Sequence, residues 1–208
     1  MARAASEGVK ASRQPVPHSS ASGSYYGNMA RKNAGGPLIV SSVADADALM
    51  DKIRNTAASV RSWMAAQSGD PLEMLRRMKF EPVGFHPIEG HALNIVEQVN
   101  QTWTFCVALA AARQLLVLHP DVGGLRLAPG ADACQALDIM SVKEGCVGAE
   151  TFAAVTPQNN GKLAKDLLKL SARPELYRYV FFMSPLFKGN KRLSQFEQHG
   201  VEVWSVDV

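Results

Sequence analysis

Asp138 and Glu150 lie on either side of a short turn, in the run Ala-Leu-Asp-Ile-Met-Ser-Val-Lys-Glu-Gly-Cys-Val-Gly-Ala-Glu-Thr-Phe over residues 136–152. The apolar residues around each acid predict two strands, 136–142 and 150–155, paired across Glu144-Gly145. Two carboxylates on neighbouring strands can converge on one hard divalent cation such as Mg²⁺ or Mn²⁺, which prefers oxygen ligands. A cation held that way neutralises a phosphate and lowers the pKa of a bound water, as phosphodiester cleavage requires. Glu97, in Asn-Ile-Val-Glu-Gln-Val, offers a third carboxylate from the preceding helix. Lys162 and Lys165 follow on a helix that should start beside the acids.

Other chemistry-bearing groups are weaker candidates. His86, Glu89 and His91 form a set that could bind metal, but their spacing matches no usual helical zinc pair. The basic groups Arg76, Arg77 and Lys79, and Lys188, Lys191 and Arg192, are candidates for contact with nucleic-acid phosphates. The glycine pairs Gly35-Gly36 and Gly123-Gly124 lack the strand–loop–helix context of a phosphate loop, and no Gly-x-Ser-x-Gly elbow occurs.

The elements that must position the acids follow from periodicity. Leu49, Ile53, Ala57, Val60 and Met64 give residues 41–67 a helical rhythm, with Ser42 or Asp45 as the cap. Asp70-Pro71 opens a shorter helix that closes near Pro82. Residues 89–119 read as one long helix with a break near 102–104. Its expected buried stripe is Leu93, Val96, Val99, Trp103, Val107, Ala110 and Leu115. Leu125-Arg-Leu-Ala reads as a strand. Asn159 or Asn160 should cap a helix over 162–171, and residues 177–183 suit a central strand. Residues 191–199 read as a short helix and 201–208 as a last strand. The division expected is a flexible basic arm over 1–37, a helical segment over 38–84 packed on the core, and an α/β core over 85–208.

Composition fits that division. The chain has 208 residues, 47% hydrophobic and 20% charged, with a net charge of +3. It can fill a core, and its charge permits a nucleic-acid partner without marking one strongly. Cys106, Cys134 and Cys146 have no CxxC spacing, which argues against a zinc site or a disulfide framework. With no apolar leader at the N-terminus, these features predict a soluble cytoplasmic protein with reduced thiols and no membrane span. The arm has five basic residues and one Glu, with Tyr25-Tyr26 beside Arg31-Lys32.

A long helix, two acidic strands, a lysine-bearing helix and further strand, in that order, resemble the core of the PD-(D/E)xK nuclease-like superfamily. The resemblance covers roughly residues 89–208. It implies a restriction-endonuclease-like mixed central sheet flanked by helices, here with an N-terminal helical extension. It implies that Asp138 and Glu150 bind Mg²⁺ or Mn²⁺ and that Glu97 supports the metal or the water. DNA is then the expected partner, 5′-phosphates are the expected products, and a homodimer is compatible. The chain departs from the motif at Phe152, two residues past Glu150, where the family carries its lysine. Lys162 or Lys165 would have to replace that lysine. The resemblance thus implies a metal-dependent DNA endonuclease or a degenerate DNA-binding relative; the alternative is a catalytically inactive nuclease-fold subunit that binds or scaffolds other proteins.

Overall fold

Ser42 fixes the start of the first long helix. Its hydroxyl accepts the Asp45 N–H at 3.1 Å, and the Asp45 carboxylate accepts the Ser42 N–H at 3.0 Å, a reciprocal cap. A computed structural model describes residues 36–130 and 135–208. Cys134 and the basic arm, apart from Gly36 and Pro37, lie outside the described residues. Strand β1, Leu38–Val40, precedes helix α1, Val43–Ala65. Helix α2, Pro71–Phe80, has Asp70 as its cap and Pro71 in its first turn.

The next helix starts later than its periodicity predicts. Strands β2, Gly84–Phe85, and β3, Ala92–Leu93, pair as a small hairpin whose turn uses Gly90 at φ +79°. Asn94 then caps α3, Ile95–Leu118, by accepting the Glu97 N–H at 2.8 Å. The helix has no break at 102–104. The buried run Cys106–Ala112 immediately after it seats the helix in the core, and that burial outweighs the weak propensities of Thr102, Trp103 and Thr104. The predicted stripe is corrected in its first half: Val96, Val99 and Trp103 are exposed, and Ile95 and Gln98 are the buried residues there. By length and composition α3 could cross a membrane. Cys106–Ala112 and Leu115 are core residues of this fold, whereas Val117 and Leu118 are exposed.

Strands β4, Leu125–Leu127, β5, Ile139–Ser141, and β6, Val147–Ala153, form an antiparallel meander. Helix α4, Lys162–Ser171, crosses from β6 to β7, Tyr177–Met183, which is parallel to β6. Strand β9, Glu202–Ser205, pairs parallel with β7. The sheet order is β1-β4-β5-β6-β7-β9, with a two-residue strand β8, Lys191–Arg192, at the edge beyond β9. Two local expectations change. Gly161, at φ +65°, takes the cap position of α4 in place of Asn159 or Asn160. Residues 191–199 are not a helix. Lys191 and Arg192 form β8, which pairs antiparallel with β9, and a single 3₁₀ turn follows at Ser194–Phe196. Pairing with β9 satisfies that backbone where helical periodicity alone would not.

The result is a mixed α/β sheet flanked by helices. Side chains alternate across each strand, so the sheet has two apolar faces. Leu125, Leu127, Ile139, Ala149 and Phe181 pack with α1 and α3 on one face. Phe152, Val180, Phe182 and Val203 meet Leu163, Leu167 and Leu170 of α4 on the other.

Candidate active site

β5 is short and β6 is long, and the site follows from that mismatch. The register pairs Ile139 with Ala149, so Asp138, one step beyond β5, stands opposite Glu150. Past that point, among the described residues, β6 has no strand partner on the β5 side. Asp138 closes the exposed edge: its Oδ2 accepts the Thr151 N–H at 2.8 Å and the Thr151 hydroxyl at 2.9 Å. The uncovered end of the sheet opens a cleft of about 590 Å³ that α3 and α4 reach from opposite faces. Asp138, Glu150, Thr151, Phe152, Lys162 and Lys169 line it, together with Asn100, Trp103 and Thr104 of α3.

Glu150 is 3% exposed and held by cations. Lys169 Nζ donates to its Oε1 at 2.7 Å, and Lys162 Nζ lies 3.7 Å from its Oε2. Lys162 also donates to Asp166 Oδ1 at 2.5 Å. Spacings of four and three residues put Lys162, Asp166 and Lys169 on one face of α4. Asp166 is as buried as Glu150, and its Oδ2 has no hydrogen-bond partner.

These groups shift one another. Burial raises the Asp138 pKa and the Glu150 charge adds to the rise, while the two Thr151 bonds and Lys162 oppose it. Burial raises Asp166 to about 6 against the pull of Lys162, with Glu150 and Asp138 reinforcing the rise. Burial works against the Lys162 charge, but Asp166, Glu150 and Asp138 outweigh it and its pKa goes up. The half-exposed lysine answers to three carboxylates. The enclosed Asp166 carboxyl answers to lost water and two other acids. That is why both members of the pair move upward.

The donor set fits a hard cation. Thr151 fixes Asp138 Oδ2 and Lys169 fixes Glu150 Oε1. Asp138 Oδ1 is not used by Thr151, and Glu150 Oε2 lies 3.7 Å from Lys162 Nζ. Two carboxylates plus water and substrate oxygens are a usual Mg²⁺ set.

The structure brings Asp138, Glu150 and Lys162 together. Lys165 lines an adjoining hollow with Phe152, Ala154 and Asn160. Glu97 is exposed near the start of α3 and is not among the cleft's lining residues, which on that helix are Asn100, Trp103 and Thr104. Phe152 lines the cleft as its strand parity predicts and stacks on Phe182, 5.6 Å between ring centres. Lys169, Asp166 and Thr151 are the residues that sequence reasoning missed. The helical spacing of Lys162, Asp166 and Lys169 was the available signal for two of them; nothing local marks Thr151.

No protein-family model, curated protein or solved structure matches this chain. Its functional reading therefore rests on the site itself.

The histidine cluster and the candidate arginines have structural occupations. His86, Glu89 and His91 place their ligand atoms within 4.8 Å of one another. However, His86 Nδ1 accepts the backbone N–H of Ile88 at 3.3 Å and of Glu89 at 3.0 Å. The ring proton is then on Nε2, which leaves no lone pair for a metal without a change of tautomer. Arg76 pairs with Glu73 and Glu81, and Arg77 pairs with Glu81 and lies over the Trp63 ring. Arg192 pairs with Glu197 and Glu202. Lys79, Lys188 and Lys191 are exposed at the surface.

Proposed function

We propose that this chain is a PD-(D/E)xK-like, metal-dependent DNA endonuclease with its lysine supplied by helix α4. One observation carries the reading: Asp138 and Glu150 oppose one another in a cleft that also holds Lys162 and Lys169. The order α3, β4, β5, β6, α4, β7 supports it, with three antiparallel strands followed by a helical crossover to a parallel one.

Asp138 and Glu150 would hold Mg²⁺ or Mn²⁺, which supplies phosphate neutralisation and an acidified water. Thr151 orients Asp138 by fixing one of its oxygens. Lys169 takes the place of the motif lysine, with Nζ 2.7 Å from the Glu150 carboxylate and therefore beside the water that the site would activate. Lys162, tethered to Asp166, is the second cation available to charge developing on the phosphate.

Calorimetric titration with Mn²⁺ tests the reading. The wild type should bind saturably, and an Asp138→Ala/Glu150→Ala double variant should not. Mg²⁺- or Mn²⁺-dependent cleavage of DNA should accompany binding. Lys169→Ala should slow cleavage by about 10²-fold or more while Mn²⁺ still binds, as for loss of one charge-stabilising group.

A second reading, an inactive nuclease-fold subunit that binds other proteins, draws on two features. Phe152 is packed where the motif lysine would stand. Helix α2 has no buried residue and exposes Leu72, Leu75 and Phe80, the apolar surface expected of a protein interface. A folded protein with no Mn²⁺ binding and no cleavage, with or without DNA, would favour it.

A further inference from the structure

Acids and lysines make only part of the cleft. One turn of α3 supplies Asn100, Trp103 and Thr104 at the i, i+3 and i+4 positions of a single face. Trp103 is 43% exposed at that wall. The other two tryptophans are used inside the fold. Trp63 lies under the Arg77 guanidinium, and Trp204 packs near Phe181 and donates its indole N–H to Glu202 at 3.0 Å. Among the described residues, Trp103 has no aromatic or cationic ring partner and no acceptor for its N–H. A large flat ring is thus presented, unpartnered, in the wall of a cleft whose other walls carry carboxylates and lysines.

We propose that Trp103 is a base-stacking residue and that the site takes single-stranded DNA. This rests on the nucleic-acid reading of the same cleft and names its substrate class. Two further observations favour a single strand over a duplex. Stacking on a side chain needs a base with a free face, and neighbouring pairs cover both faces inside a duplex. Duplex affinity comes largely from cations on phosphates, yet the arginines that sequence assigned to that task are engaged within the fold. Arg76 and Arg77 are tied to Glu73 and Glu81, and Arg192 to Glu197 and Glu202. Lys162 and Lys169 are each paired with a buried acid, Asp166 and Glu150, and Lys79, Lys188 and Lys191 are the exposed cations of the two basic groups. Base stacking adds an affinity that does not depend on those ion-paired arginines.

The test is binding of the full chain, without added divalent ion, to three labelled probes of equal length: oligothymidylate, the same backbone made abasic, and a duplex. Oligothymidylate should bind most tightly and quench indole emission. Trp103→Ala should weaken oligothymidylate binding on the order of tenfold to a hundredfold, the effect of one lost base stack. It should leave the abasic strand nearly unaffected. Trp103→Phe should keep most of the affinity and lose most of the quenching. A thermal melt of each variant separates binding from folding. Equal oligothymidylate binding by wild type and Trp103→Ala, or an equal loss on the abasic strand, overturns the stacking role while leaving the hydrolase reading in place. Wild-type protein that binds none of the three probes overturns the single-strand proposal; the hydrolase reading falls only if Mn²⁺ binding and cleavage fail as well.

Discussion

Asp166 sits 3% exposed under α4 with one oxygen on Lys162 and the other without a partner. Its carboxyl is raised to about 6 by burial and by the neighbouring acids. The sign of the stability effect follows from proton counting. Between the ordinary value of 3.8 and about 6 the folded state binds the proton more tightly than the unfolded chain does. This group's contribution is therefore greatest below 3.8 and declines as pH rises through about 6. Asp166→Asn removes the titration. Relative to that variant, the wild type should lose on the order of 2–3 kcal/mol as pH rises through this window. Urea unfolding at several pH values measures the difference, and parallel curves for the two proteins would refute the assignment. The same lysine–acid contacts explain how Glu150 can stay buried on a face that is otherwise apolar: each of its oxygens has a cation within reach.

Strand β6 connects packing to chemistry. Its α4-facing side runs Gly148, Glu150, Phe152, so the acid stands between a glycine and an aromatic ring. Gly148 is needed for space. A Cβ there would lie 2.5 Å from Leu137 Cδ1 and 3.1 Å from Glu175 Cγ. Leu137 is fully enclosed and immediately precedes Asp138. Gly148→Ala should therefore displace Leu137, cost about 1–3 kcal/mol through overpacking and move Asp138 away from its place opposite Glu150. A lowered urea midpoint together with weakened Mn²⁺ binding is the expected pair of results. Lowered stability with unchanged Mn²⁺ binding would show that the register survives the clash.

At the scale of the whole molecule, one buried amide joins three elements. Gln98 of α3 accepts the Phe85 N–H at 2.6 Å and donates to the Thr56 carbonyl at 3.2 Å. It thereby ties the β2–β3 hairpin and α1 to the helix that forms one wall of the cleft. Gln98→Leu keeps the volume but leaves the Phe85 N–H and the Thr56 carbonyl without their partner, which should cost about 1–3 kcal/mol. Thermal or urea unfolding checks this, and a change within about 0.5 kcal/mol would mean that water replaces the amide. Beyond this clamp, α1 is buried only at Ala46, Met50 and Ile53, and α2 nowhere.

Much of the fold was legible in the residues. The Ser42 and Asp70 caps, the apolar runs of β6 and β7 and the turn between β5 and β6 are local signals, because caps, turns and strand parity depend on neighbours in the chain. Strand parity also put Phe152 on the Glu150 side. The misread segments are those where distant contacts overrule local preference. Lys191-Arg192 became a strand because β9 offers it hydrogen bonds, and α3 ran through 102–104 because the following turns are buried. The site divides the same way. Sequence determined that two acids flank a turn on adjoining strands with lysines to follow. Only the tertiary structure decided which lysine reaches Glu150, that Thr151 holds Asp138, and that Trp103 rather than Glu97 lines the cleft. Those pairings depend on how far β5 extends along β6 and how α3 and α4 cross the sheet, distances set by packing between residues far apart in the chain.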